Sequence, residues 1–78
     1  IFVSLDIDVV DPAFAPGTGT QEPGGCTSQQ IIQAIGLLAQ LNVVGFDLVE
    51  VCPPLDFSER TAILAAILIR EAILAFLK

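Results

Sequence analysis

Positive charge is what this sequence has least of. Only Arg60, Arg70 and Lys78 stand against nine acids, for a net charge of −6. There is no basic patch and no interleaving of basic with aromatic residues to follow a phosphate backbone, which argues against nucleic acid as a partner. Long apolar runs are missing as well. The longest, residues 62–69, falls well short of the roughly 20 residues that span a bilayer, and Arg70 with Glu71 interrupts its continuation, so no membrane partner is expected. No signal-peptide pattern stands within the 78 residues. Cysteine is limited to Cys26 and Cys52, far apart and in neither a CxxC nor a zinc spacing. Two reduced thiols in an intracellular protein are the expectation, although spacing alone leaves a disulfide open.

Apolar residues make up 54% of the chain and charged residues 15%. A unit of this size buries only about 60% of the surface its unfolded chain exposes, so so much apolar surface calls for a cover from elsewhere. A strand signal begins at Ile1 without a lead-in. Residues 1–78 are therefore expected to be a partial domain, a segment of a larger α/β protein.

Residues 1–6 read as a buried strand, with Asp6 and Asp8 at or just beyond its carboxyl end. Pro12, Pro16, Gly17, Gly19, Pro23, Gly24 and Gly25 then forbid regular structure, and so long a connection is more often functional than idle. Thr27-Ser28-Gln29-Gln30 has the form of a capping box that starts a helix. Ile31, Ile32, Ala34, Ile35, Leu37, Leu38 and Leu41 continue it as an apolar stripe, with Asn42 as its stop. Residues 43–51 read as a second strand, parallel to the first. Cys52-Pro53-Pro54 ends it, and Asp56 with Glu59, or Ser58, can cap a final helix over residues 58–77. That helix is apolar all round, which predicts burial between layers or at a subunit interface.

The chemistry is expected where both strands end. Alternate residues of a strand face one side, so Asp6 and Asp8 can converge, and Asp11 and Glu50 can join them at one rim of the sheet. No Lys or Arg lies near in sequence to neutralise these carboxylates; a dication such as Mn²⁺ or Mg²⁺ suits them. Plainer readings stand beside this one. A DxD pair is short and common, Asp11-Pro12 is a frequent turn starter, Glu50 can be a solvated strand end, Thr18 and Thr20 can bond local backbone, and Asp47 suits a structural hydrogen bond.

Taken together, Ser4-Leu5-Asp6-Ile7-Asp8-Val9-Val10-Asp11-Pro12, Ala13-Phe14-Ala15-Pro16-Gly17-Thr18-Gly19-Thr20, Glu22-Pro23-Gly24-Gly25 and Asp47-Leu48-Val49-Glu50-Val51-Cys52-Pro53-Pro54-Leu55-Asp56 resemble the ureohydrolase family, the arginase and agmatinase group. The similarity runs on through Arg60-Thr61-Ala62. It looks like a C-terminal segment, nearer the agmatinase and guanidinobutyrase branch than arginase. The resemblance implies a β-α-β-α piece of a three-layer α/β/α sandwich with a parallel sheet and a binuclear Mn²⁺ site. It implies hydrolysis of a guanidino compound, agmatine-like, to urea and an amine by a metal-bridging hydroxide, with a place in polyamine metabolism. Asp6 would bridge both metals and Asp8 chelate one; Glu50 would hold the guanidinium; Thr20 would line the substrate site; Asp11 would order the turn behind the ligands. A homo-oligomer in the cytoplasm, or in the mitochondrion of a eukaryote, is also implied.

Gln21 stands where the family usually has proline, which is expected to loosen the loop, and Cys52 where Ser or Asn is commoner. The larger departure is that the chain has no histidine, whereas the family draws its remaining ligands from His and Asp motifs on earlier strands. The isolated chain is therefore expected to be inactive. Two alternatives remain: a non-catalytic remnant that packs or oligomerises, and a haloacid dehalogenase-type phosphatase with Asp6 as nucleophile and Asp8 as acid/base. The second lacks a convincing downstream lysine or second acidic pair.

Overall fold

The computed structural model describes residues 1–77. Strand β1 (Phe2–Asp6) is followed by a 3-10 turn at Ile7–Val9, a long loop, helix α1 (Ser28–Leu38), strand β2 (Gly45–Val49), a second 3-10 turn at Pro53–Leu55 and helix α2 (Arg60–Phe76). The two strands pair in parallel, with Phe2 opposite Gly45, Ser4 opposite Asp47 and Asp6 opposite Val49. Parallel pairing puts both carboxyl ends at one edge, as expected.

Helix α1 starts where its cap chemistry puts it. The Thr27 hydroxyl accepts from the Gln30 amide at 3.1 Å, and the Gln30 side chain accepts from the Thr27 amide at 2.9 Å. It ends at Leu38 rather than Asn42, because the amides of Ala39, Gln40 and Leu41 turn back to carbonyls three residues earlier. This tightening to i→i+3 bonding is a common way for a helix to close.

The core joins Ile7, Val10 and Ala15 to Ile31 and Ile35 of α1 and to Leu64, Leu68 and Ala72 of α2, with Leu5, Phe46 and Leu48 packed against it. Both helices therefore cover one face of the sheet. Phe2, Ser4, Asp47 and Val49 lie exposed, so β1 is not the fully buried strand its composition suggests. Helix α2 is likewise buried on one side only. Thr61, Leu64, Ala65, Leu68 and Ala72 face inward, while Ile63, Ile69, Ile73 and Leu74 stay exposed. Among the described residues, no helix is long and apolar enough to cross a membrane.

Of the two acids expected to start α2, only Asp56 bonds its first turn. Glu59 is its N-cap but caps with no side-chain bond, and α2 begins at Arg60. Asp56, only 8% exposed, does the anchoring instead. Its Oδ2 accepts from the Thr61 amide at 2.9 Å, and its Oδ1 from the Ser58 hydroxyl at 2.6 Å and the Ser58 amide at 3.1 Å.

Candidate metal and substrate site

Asp6 closes β1, and its Oδ1 accepts from the Asp8 amide at 2.9 Å, capping the 3-10 turn. Asp8 therefore does not share a strand face with Asp6 by alternation. The chain has already turned, and what relates the two carboxylates is the cap. The Thr18 hydroxyl donates to Asp8 Oδ1, so this threonine bonds a carboxylate rather than local backbone. Each aspartate keeps its Oδ2 free of any hydrogen bond among the described residues.

The register carries the second strand's acid to the same edge. Asp6 pairs with Val49, and Glu50 is the next residue. Glu50 is exposed and has φ +73°, a left-handed conformation uncommon for a residue with a Cβ. Two residues on, the Cys52 amide donates to the Gly17 carbonyl at 2.6 Å. The long loop is thereby tied to the tail of β2.

That loop is built from its acids and glycines. Asp11 Oδ1 accepts from the Ala13 amide and Oδ2 from the Gly24 amide, both at 2.9 Å. These bonds, Ala13 foremost, hold its carboxyl below the ordinary value of 3.8. The loop's end returns to its start, with Asp11 N to Cys26 O at 2.8 Å and Cys26 N to Val9 O at 2.9 Å. Gly25 lies so close to this crossing that a Cβ would sit 2.7 Å from the Val9 carbonyl oxygen. Gln21 is tied into the loop. Its side-chain amide donates to the Pro16 carbonyl, supplying a tie that proline cannot.

Thr20 is exposed on the same loop. Ser4 donates to Asp47 at 2.6 Å across the bare sheet face, the structural bond expected for Asp47. Cys26 and Cys52 are both free thiols, and burial pushes the Cys26 thiol up.

The hub that sequence reasoning missed is Gly17–Thr61–Asp56. Gly17 donates to Thr61 Oγ1 at 2.7 Å, and a Cβ at position 17 would meet Asp56 Cβ at 2.9 Å. Its signal was the glycine after Pro16, read as a breaker but required by a close approach.

The donor chemistry suits a hard divalent ion, with carboxylate oxygens at one strand edge and, among the described residues, no basic side chain bonded to them. The number falls short. Four acids do not gather as the sequence suggested; among the described residues, no three His, Cys, Asp or Glu side chains come together so as to hold a metal. Asp6 and Asp8 fit as part of a ligand set.

A model of the Arginase family matches residues 1–75. An agmatinase of Halalkalibacterium halodurans is 51% identical over 97% of this chain and 27% of its own length. The human mitochondrial guanidino acid hydrolase is 53% identical over the whole of this chain and 22% of its own. Among solved structures, the proclavaminate amidino hydrolase from Streptomyces clavuligerus superposes with a TM-score of 0.93 at 47% identity, over 96% of this chain and 25% of that one. The chain thus spans about a quarter of the length of these relatives.

Proposed function

Because this chain belongs to the arginase family, with residues 1–75 matched, we propose that it forms part of a manganese-dependent hydrolase that splits an agmatine-like guanidino compound to urea and an amine. The observation that carries the reading is the strand register. Pairing of Asp6 with Val49 brings the Asp6–Asp8 turn and Glu50 to the same carboxyl edge of a parallel sheet, the edge where such sheets bind ligands.

In this reading Asp6 and Asp8 hold manganese through carboxylate oxygens, together with ligands from outside these residues. Carboxylate-held manganese supplies, when bound, hydroxide at neutral pH by lowering the pKa of water. Glu50 holds the substrate guanidinium through charge-assisted hydrogen bonds, which fixes the orientation of its central carbon. Thr20 lines the approach from the loop. Asp11 keeps that loop in place through the amides of Ala13 and Gly24. One water is consumed, one C–N bond of the guanidine breaks, and the departing nitrogen leaves as the amine.

Agmatinase and guanidino acid hydrolase relatives support an agmatine-like or guanidino acid substrate, the first of which carries with it a place in polyamine metabolism. The exposed Ile63, Ile69, Ile73 and Leu74 call for a cover, from the rest of the polypeptide or from a second copy in a homo-oligomer, and the compartment in this reading is cytoplasm, or mitochondrion in a eukaryote. Family membership sets the phosphatase alternative aside. The test is urea release from agmatine, guanidinobutyrate and arginine, with Mn²⁺, by a polypeptide that carries residues 1–78 together with histidine ligands. No urea from any of them would overturn the proposal.

A second reading is favoured by the lack, among the described residues, of a third donor beside Asp6 and Asp8: the 78-residue chain by itself packs or oligomerises and does not catalyse. Calorimetric titration of this chain with Mn²⁺ separates the two, since tight stoichiometric binding contradicts a purely structural role.

A further inference from the structure

Thr18 is a polar side chain with 2% exposure, and its hydroxyl donates to Asp8 Oδ1. A buried hydroxyl must find a partner, and here it takes a carboxylate from another turn of the chain. Its position is fixed by the residue before it. Gly17 donates to Thr61 Oγ1 at 2.7 Å and accepts from the Cys52 amide at 2.6 Å, while Thr61 is itself held by Asp56 through a 2.9 Å amide bond. Three separate segments, the tail of β2, the Asp56 turn and the start of α2, thus converge on one loop residue. What they deliver is the Thr18 hydroxyl at Asp8.

We infer that Thr18 is a positioning residue for Asp8. By engaging Oδ1 it stops rotation of the carboxylate and presents Oδ2, which accepts no hydrogen bond among the described residues, to a cation. The inference rests on the metal reading of Asp8 given above. A valine of nearly the same shape would fill the space equally well, so packing alone does not require the hydroxyl. Partners that orient a metal ligand in this way affect metal affinity about 10–100-fold.

The test measures Mn²⁺ affinity, by paramagnetic resonance of the free ion, in the polypeptide that carries this segment together with the remaining ligands. Thr18→Val is expected to fold and to weaken one Mn²⁺ about 10–100-fold, while Thr18→Ser, which keeps the hydroxyl, stays within about threefold of the parent. Unchanged affinity in a folded Thr18→Val protein overturns the inference, as does equal weakening in both variants. Thr18→Ala guards against a folding failure of Thr18→Val and is read in the same way. If neither folds while Thr18→Ser does, the hydroxyl serves the fold and the inference is overturned. Mn²⁺ binding that depends on Thr18 without urea release would sink the hydrolysis reading alone. A parent that binds no Mn²⁺ would sink both.

Discussion

The amide of Gly17 donates to the hydroxyl oxygen of Thr61 at 2.7 Å, in a buried bond between residues 44 apart in sequence. It joins the loop beside the candidate site to the first turn of α2, and it leaves no room for a side chain at position 17. A Cβ there would lie 2.9 Å from Asp56 Cβ and 3.0 Å from Thr61 Cβ. Both neighbours are held by their own hydrogen bonds and cannot swing aside. Gly17→Ala is therefore expected to destabilise the protein by about 1–3 kcal/mol, the usual effect of overpacking. The shift in urea midpoint measures it, and an unchanged midpoint would show that the contact is slack.

Removing the hydroxyl tests the same bond from the other side. Thr61→Val keeps the shape but leaves the Gly17 amide without its acceptor, at a cost of about 1–3 kcal/mol. Thr61→Ser should recover most of that. Equal losses in the two variants would assign the effect to packing by the threonine methyl instead.

Asp56 makes stability depend on acidity. The Ser58 hydroxyl first, then the Thr61 amide, hold its carboxyl well below the ordinary value of 3.8. A folded-state pKa below the unfolded one means the unfolded chain takes up the proton first as pH falls. The contribution is complete above pH 3.8 and is lost as the pH drops from there through the folded value. Asp11, lowered by the Ala13 and Gly24 amides, acts in the same window. Urea midpoints followed from pH 7 down to pH 2 should thus fall on the acid side. Asp56→Asn should make that fall shallower without abolishing it, because Asp11 remains. The same acid slope in the variant would refute the assignment.

Helix α1 offers a change in the opposite direction. Gly36 lies within the helix, and nothing comes within 4 Å of where its Cβ would be. Gly36→Ala meets no clash and lowers the entropy of the unfolded chain, so stability should rise by about 0.4–1 kcal/mol. A lower midpoint would mean that another surface covers this position in the protein tested.

Local chemistry made much of the fold readable. Thr27 and Gln30 are three residues apart, and their reciprocal bonds need nothing from elsewhere; the parallel pair followed from two apolar runs with a helix between them. The turn through Asp6 and Asp8 was legible as the end of β1, but strand alternation does not relate the two side chains. The chain turns at Asp6 because its own carboxylate caps the Asp8 amide, and an aspartate can do this at the end of any strand. The Gly17–Thr61–Asp56 hub stayed hidden because local spacing says nothing about partners 44 residues away. The all-round apolar character of α2 did announce a need for cover. It could not say that the described chain would bury one side and leave Ile63, Ile69 and Ile73 exposed.

Glu50 combines a backbone cost with a proposed duty, and two substitutions separate them. Its φ of +73° is a conformation that typically costs a residue other than glycine about 1–3 kcal/mol. Glycine adopts it freely, so Glu50→Gly should leave the protein as stable or more stable by about 1 kcal/mol. The carboxylate is lost all the same. If it holds the guanidinium, KM for the guanidino substrate should rise about 10–100-fold in Glu50→Gln, the loss expected for a charged hydrogen bond, while Mn²⁺ affinity stays unchanged. Glu50→Gly should show at least the same rise in KM in spite of its sounder backbone. A Glu50→Gln protein with unaltered KM would remove Glu50 from substrate binding, and the left-handed turn would then have to be explained by the course of the chain into Cys52 and Gly17.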